Sequence, residues 1–311
     1  MEILTSPDSN NNLSLALGFF DGVHIAHKKI LSTAAELAQK NGLKSAVITF
    51  KKSPGAIINP SNPAKNINLQ TLEDKLSLIE EIGVDFAYVL DFEDFKHLSA
   101  KEYLNDVLIK NFAPRFIVTG FNHTFGARCC GNEAGNSDFL YAYQNLGYKY
   151  IEIEKMRLNN TLVSSTNVKK FIEHAYIKEA NALLGYDFNI KNKVVSGMGL
   201  ARVLGFKTAN LNWPENIVKP PFGVYFGVVE HNGVKYRALL NWGIKPTVKR
   251  AISSFEPVLE AHILNFDKEI YGDEIRVFFK LPLREEKKFS NIEELKTQIA
   301  NDIKKCENYN Y

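Results

Sequence analysis

The feature that most constrains this chain is a change of rhythm near Gly185. Before it, short apolar runs alternate with segments of helical spacing; after it, apolar runs follow one another in series. Strand candidates in the first part are Leu13–Leu17, Ser45–Phe50, Phe86–Leu90, Phe116–Thr119 and Lys149–Ile153. Helix candidates between them are Lys28–Lys40, Leu72–Ile82, Ala100–Lys110 and Phe139–Asn145. Alternation of β and α predicts a parallel, Rossmann-like sheet with crossover helices, whose ligands sit at the carboxyl ends of the strands. In the second part strands are expected over Lys193–Val195, Phe222–Val229, Val234–Trp242, Pro257–Phe266 and Glu274–Leu281, with His231-Asn232-Gly233 as a hairpin turn. Strands in series predict a small antiparallel barrel. A helix from Ile292 closes the chain, with Ser290 and Glu293 as a capping box and Ile292, Leu295, Ile299 and Ile303 on one apolar face. The expected architecture is an α/β domain over residues 1–185 and an antiparallel β-barrel domain with a terminal helix over 186–311.

Composition narrows the function classes. A net charge of +3 on 311 residues, with the basic residues spread out, argues for neither nucleic acid nor a membrane surface. No apolar run reaches the length of a membrane span. The first residues, MEILTSPDSN, carry acids and no apolar core, so no signal peptide is expected and a cytoplasmic location is. Cys129, Cys130 and Cys306 provide neither a disulfide framework nor metal-ligand spacing. Oligomeric state is not legible.

The stretch Leu15–Leu31 reads LALGFFDGVHIAHKKIL. An apolar run stops at Gly18, a short loop carries Phe20, Asp21 and Gly22, and His24 and His27 precede a helix that should stop at Asn41-Gly42. A helix N-terminus after a glycine-bearing turn suits phosphate, and two imidazoles there can donate to phosphate oxygens as charge builds. An ordinary β–α turn with a satisfied histidine pair is the plain alternative. Ser164, Ser165 and Thr166 mark another hydroxyl-rich helix start, which can cap itself or bind an anion.

These residues resemble the GxFDGxHxGH signature of bacterial flavin adenylyltransferases, within the HxGH nucleotidyltransferases. Gly18, Phe20, Asp21, Gly22, His24 and His27 fall on the pattern, and Ala26 replaces a glycine. The run Val163–Lys169 resembles the ISSTxIR motif, with Lys169 in place of arginine. The resemblance assigns catalysis to His24 and His27. It assigns ATP phosphates to Gly18, Phe20, Asp21, Gly22, Ser164, Ser165, Thr166 and Lys169. Thr49–Pro54 stands where the family has a TFxPHP segment, with the departures in Lys51–Ser53. In Gly120–Gly126, Asn122 and His123 replace the Asp and Phe of a GxDFxFG loop. That loop shapes the flavin pocket in the family, which assigns Asn122 to flavin.

The glycine-rich run Gly197–Leu211 is no Walker loop. By itself a paired GxG is weak evidence, and a glycine-bearing hairpin or bulge is the simpler reading. Thr208 and Asn210 share a side on an extended chain and offer oxygens to a Mg²⁺ that carries phosphates. The run resembles the PTAN segment of riboflavin kinases, with Lys207 replacing its proline. The resemblance implies ATP contacts for Gly197, Gly199 and Arg202, and Mg²⁺ ligation by Thr208 and Asn210. Glu260, within Pro257–Leu264, shares a strand face with Val258, His262 and Leu264. The family's LExHLxxF segment fits there and makes Glu260 the general base for the riboflavin 5′-hydroxyl. Phe222–Tyr225, Asn241–Thr247 and Leu283–Phe289 resemble further kinase segments, the last implying a flavin-ordering role for Arg284.

Together the resemblances imply a bifunctional riboflavin kinase/FAD synthetase: riboflavin and ATP give FMN in the barrel, and FMN and a second ATP give FAD in the α/β domain. Retention of one activity alone, or flavin binding without turnover, stand as the alternatives.

Overall fold

The computed structural model describes residues 1–6, 12–127, 135–196, 206–244 and 257–309. Gly197, Gly199, Arg202, Cys129, Cys130 and the Lys245–Thr247 segment lie outside them. The chain divides into two compact units, Met1–Ser165 and Thr166–Tyr311.

The first unit is built on six parallel strands: β1 (Glu2–Leu4), β2 (Leu13–Leu17), β3 (Lys44–Phe50), β4 (Phe86–Leu90), β5 (Phe116–Gly120) and β6 (Lys149–Ile153). Their order is β1-β4-β3-β2-β5-β6. After β2 the chain steps outward through β3 to β4, then returns to the other side of β2 as β5. The carboxyl end of β2 is therefore the topological switch point, where such sheets open a ligand crevice. All five residues of β2 are buried, as a central strand covered on both faces requires. Leu13, Leu15 and Leu17 join one core with Ala46, Ile48 and a helix over residues 100–112. Ala16 and Val47 join the other with Ile30, Leu31, Ala34 and Ile79. Truncating a fully buried leucine in either layer to alanine costs about 2–5 kcal/mol.

Two helices in that second layer frame the site. Helix α1 (Ile25–Asn41) starts three residues before the expected Lys28, because His24 caps it, and ends at Gly42 with φ +64°. Helix α2 (Leu72–Glu81) is capped by Thr71, whose hydroxyl accepts from the Asp74 N–H. Strand β1 and a short helix over Pro54–Ile58 carried no sequence signal strong enough to be expected.

In the second unit, helices α3 (Ser165–Glu173, which starts at the last residue of the first unit) and α4 (Ile177–Leu184) precede six antiparallel strands. These are β7 (Asn189–Lys193), β8 (Ala209–Asn212), β9 (Gly223–His231), β10 (Val234–Ile244), β11 (Pro257–Ile263) and β12 (Glu274–Glu285), in the order β8-β11-β10-β9-β12-β7. A bridge between Val195 and Asn210 joins the two ends and closes the barrel. Strand β7 thus ends where the expected Lys193–Val195 strand was to begin; Val195 contributes only the closing bridge. The hairpin turn has φ +49° at Asn232 and +76° at Gly233, as its tight two-residue geometry demands. Alternation fills the barrel with Leu211, Tyr225, Leu240, Trp242, Leu259, Ala261 and Phe279, all buried. Helix α5 (Ile292–Asn308) covers the outer face, where Val224, Phe226, Leu239, Leu264 and Cys306 form a second core with Ile299 and Ile303. Its cap is Asn291, one residue after the expected Ser290, and Ile292 is exposed, not part of the apolar face.

Candidate active sites

At the switch point the Gly18–Val23 turn carries positive φ at Phe20 (+57°), Gly22 (+84°) and Val23 (+35°). Glycine takes such angles freely; a β-branched valine does so only when its surroundings hold it there. They do. The Phe20 and Val23 side chains are buried, and the Asp21 carboxylate accepts the Leu69 N–H at 2.7 Å. The Asp21 carbonyl accepts the Ser165 hydroxyl at 2.7 Å. The Phe19 carbonyl accepts from the Thr49 hydroxyl at 2.9 Å and the Lys75 ammonium at 3.1 Å. A side chain at Gly18 would stand 2.9 Å from the Phe20 ring. Gly18, Phe20, Asp21 and Gly22 therefore shape the turn, and the Phe20 and Asp21 side chains are taken up in holding it.

What the turn presents is the histidine pair. The rings of His24 and His27 stack at 3.6 Å, nearly parallel, and the Phe20 ring meets His27 edge-on at 5.2 Å. Nδ1 of His24 accepts the His27 N–H at 3.3 Å, so a neutral His24 carries its proton on Nε2. Burial pushes His24 down to about 4. It pushes His27 well below the usual imidazole range, with His24 and Lys75 adding repulsion. Both rings are neutral at pH 7. Nδ1 of His27 is buried without a hydrogen-bond partner, capacity that a ligand at the helix N-terminus can fill.

Of the other residues expected here, Ser164 and Ser165 belong to the first unit; Thr166 and Lys169 lie on α3 within the second. Asn122 is exposed on its loop. Its neighbour His123 stacks on Phe125 with Nε2 buried and unpartnered, and burial pushes its pKa down to about 4.

In the barrel, register brings a second group of candidate residues together. Asn210 on β8 pairs with Glu260 on β11, which pairs with Asn241 on β10. Asn241 pairs with Val224 on β9, and Val224 with Arg284 on β12. Directly opposed residues project from the same face, so Asn210, Glu260, Asn241 and Arg284 lie in one row on the outer face of the barrel. The Asn241 amide donates to the Glu260 carboxylate at 3.3 Å. Thr208 stands two residues before Asn210, in a segment held from two sides. Nδ1 of His262 donates to the Lys207 carbonyl at 2.7 Å, and the Lys207 ammonium pairs with Asp267. Hydroxyl, amide oxygen and carboxylate are the hard donors that Mg²⁺ prefers.

Two family models match the chain in sequence: FAD synthetase over residues 6–167 and riboflavin kinase over 184–310. The bifunctional riboflavin kinase/FMN adenylyltransferase of Bacillus subtilis is 32% identical over 95% of this chain and 92% of its own. That of Buchnera aphidicola from Schizaphis graminum is 33% identical over 96% and 95%, and that of Escherichia coli K12 32% over 93% and 90%. The chain belongs to the bifunctional riboflavin kinase/FMN adenylyltransferase family. A solved structure described as a macrolide-efflux protein from Streptococcus pneumoniae superposes over the whole of both chains with a TM-score of 0.88 at 27% identity. Among the described residues here no helix is long and apolar enough to cross a membrane.

Lys207, which stands where the family pattern has proline, is tethered at its carbonyl by His262 and at its ammonium by Asp267. Arg284, expected at the flavin, is anchored by Asp302 of α5 at 2.8 Å, and Gln298 holds the other carboxylate oxygen. Sequence spacing gave no role to Asn241, Lys75, His262 or Asp302. A polar residue inside an apolar run was the available signal for Asn241. A charge on the buried stripe with Ile79 was the signal for Lys75.

Proposed function

We propose that this chain makes FAD from riboflavin in two steps at two sites, with residues 1–185 carrying adenylyl transfer and 186–311 the kinase. Riboflavin, FMN, MgATP and a cytoplasmic setting are the partners and location this reading entails.

At the barrel site the 5′-hydroxyl oxygen of riboflavin attacks the γ-phosphorus of ATP. Glu260 takes the hydroxyl proton, the bond from the γ-phosphorus to the bridging oxygen breaks, and ADP leaves. Asn241 fixes the carboxylate by its hydrogen bond. Thr208 and Asn210 would hold Mg²⁺, which when bound supplies positive charge to the phosphate oxygens. Arg284 lies in the same row as Glu260, three strands away, or about 14 Å at ordinary strand spacing. It serves flavin by holding the floor of the site, with its guanidinium on Asp302.

At the switch point a phosphate oxygen of FMN attacks the α-phosphorus of ATP and pyrophosphate leaves. His24 and His27, neutral and at the N-terminus of α1, donate hydrogen bonds to the oxygens on which charge grows; neither becomes covalently attached. Ser164 and Ser165 add hydroxyls beside the turn. Holding two substrates in line is itself worth several powers of ten, so no protein nucleophile is required.

One observation carries the assignment. Residues 50 positions apart in sequence, Asn210 and Glu260, are cross-strand neighbours on one face, as a metal ligand and a base acting on one phosphoryl group must be. The test is incubation with riboflavin, ATP and Mg²⁺ followed by chromatography. FAD is the expected product; recovery of unchanged riboflavin would refute the assignment.

A further inference from the structure

Lys75 is a lysine with 4% of its surface exposed, on the buried side of α2. Its ammonium donates to the Phe19 carbonyl at 3.1 Å, the Thr49 hydroxyl at 2.9 Å and the Phe50 carbonyl at 3.1 Å. It also lies 4.3 Å from the Phe19 ring centre. Three donors meet three acceptors, and those acceptors sit at the carboxyl ends of β2 and β3, at the foot of the histidine turn. An apolar residue of the same length would pack α2 without desolvating a charge. What the ammonium adds is a tie between two strand ends and a turn whose Phe20 and Val23 angles need an outside constraint.

From these contacts, and resting on the reading of the His24–His27 turn as the adenylyl-transfer site, we infer that Lys75 is a positioning residue for that reaction: it holds the Phe19 carbonyl, and through it the two imidazoles, against β3. The titratable groups acting on it from the turn and α1 are Asp21 and His27; β3 presents Thr49 and the Phe50 carbonyl. On its own helix, Asp74 takes the Thr71 hydroxyl. Burial lowers Lys75 to about 7, with Asp21 pulling the other way. Deprotonation leaves two donors for three acceptors, so the tie slackens above neutral pH.

The test uses the full chain, FMN and MgATP, with FAD formation followed over pH. Lys75→Met should lower kcat by about 100-fold, the scale of an ångström-level misplacement, with KM for ATP changed far less. It should also erase the wild type's fall in kcat above neutral pH, and leave FMN formation from riboflavin unchanged. Wild-type kcat in Lys75→Met, an effect on KM alone, or persistence of the alkaline fall would overturn the inference. Should Lys75→Met not fold, Thr49→Val decides: a several-fold loss of kcat supports the tie, and wild-type kcat refutes it. His27→Ala run alongside separates the two ideas, because undiminished FAD synthesis there would refute the site and not merely the role of Lys75.

Discussion

Asn210 and Glu260 face each other across adjacent antiparallel strands, and the Asn241 amide grips the Glu260 carboxylate from the next strand. In the proposed reading Glu260 is the base and Asn210 a metal ligand, an arrangement that suits phosphoryl transfer to a hydroxyl. Glu260→Gln keeps the shape and removes the base. FMN formation from riboflavin should fall by roughly 10²–10⁴, with FAD formation from added FMN unaltered. Unimpaired FMN production would remove Glu260 from the mechanism.

Asn210→Ala and Thr208→Ala should each raise the Mg²⁺ concentration needed for half-maximal kinase activity by about tenfold, equivalent to about 1.4 kcal/mol. A Mg²⁺ titration at fixed ATP measures this. An unshifted midpoint with lowered kcat would show that these oxygens serve something other than the metal.

Much of this was legible in advance where the chain repeats a simple period. Strands β2 and β4 begin and end where the apolar runs do, because a buried parallel strand is written as one nearly continuous run. The histidine turn was legible because strand, glycine and helix start follow in a few residues. What sequence could not give was register. Nothing in the spacing of Asn210, Asn241, Glu260 and Arg284 reveals that four strands place them in one row. Nor can helical periodicity announce that Lys75, at a position suited to leucine, finds three acceptors on other elements. Asp302 is similar: a carboxylate on an amphipathic helix reads as solvated until Arg284 is seen to bury it.

Arg284→Met should destabilise the barrel by about 3–5 kcal/mol, since it strands the fully buried Asp302 carboxylate. Both tryptophans of the chain, Trp213 and Trp242, lie in the barrel core, so tryptophan fluorescence in urea reports on this unit alone. Adding Asp302→Asn should recover part of the loss. A single variant as stable as wild type would mean that the pair contributes nothing.

His123→Phe removes a buried ring nitrogen that has no partner, and should stabilise the first unit by about 1–3 kcal/mol. The sign with pH is fixed by the lowered pKa. The neutral ring's contribution is complete above the ordinary 6.5 and is lost as pH falls toward about 4, because only the unfolded chain readily takes the proton. The variant should therefore flatten part of the acid loss of stability between those values, measured by circular dichroism melts. An unchanged acid limb would contradict it.

Two separate sites on one chain, as proposed, predict complementation. Glu260→Gln alone and His27→Ala alone should each fail to produce FAD from riboflavin, ATP and Mg²⁺, the second accumulating FMN. An equal mixture of the two variants should produce FAD, because FMN released by one is adenylylated by the other. Abundant FAD from either variant alone, or none from the mixture, would contradict the account.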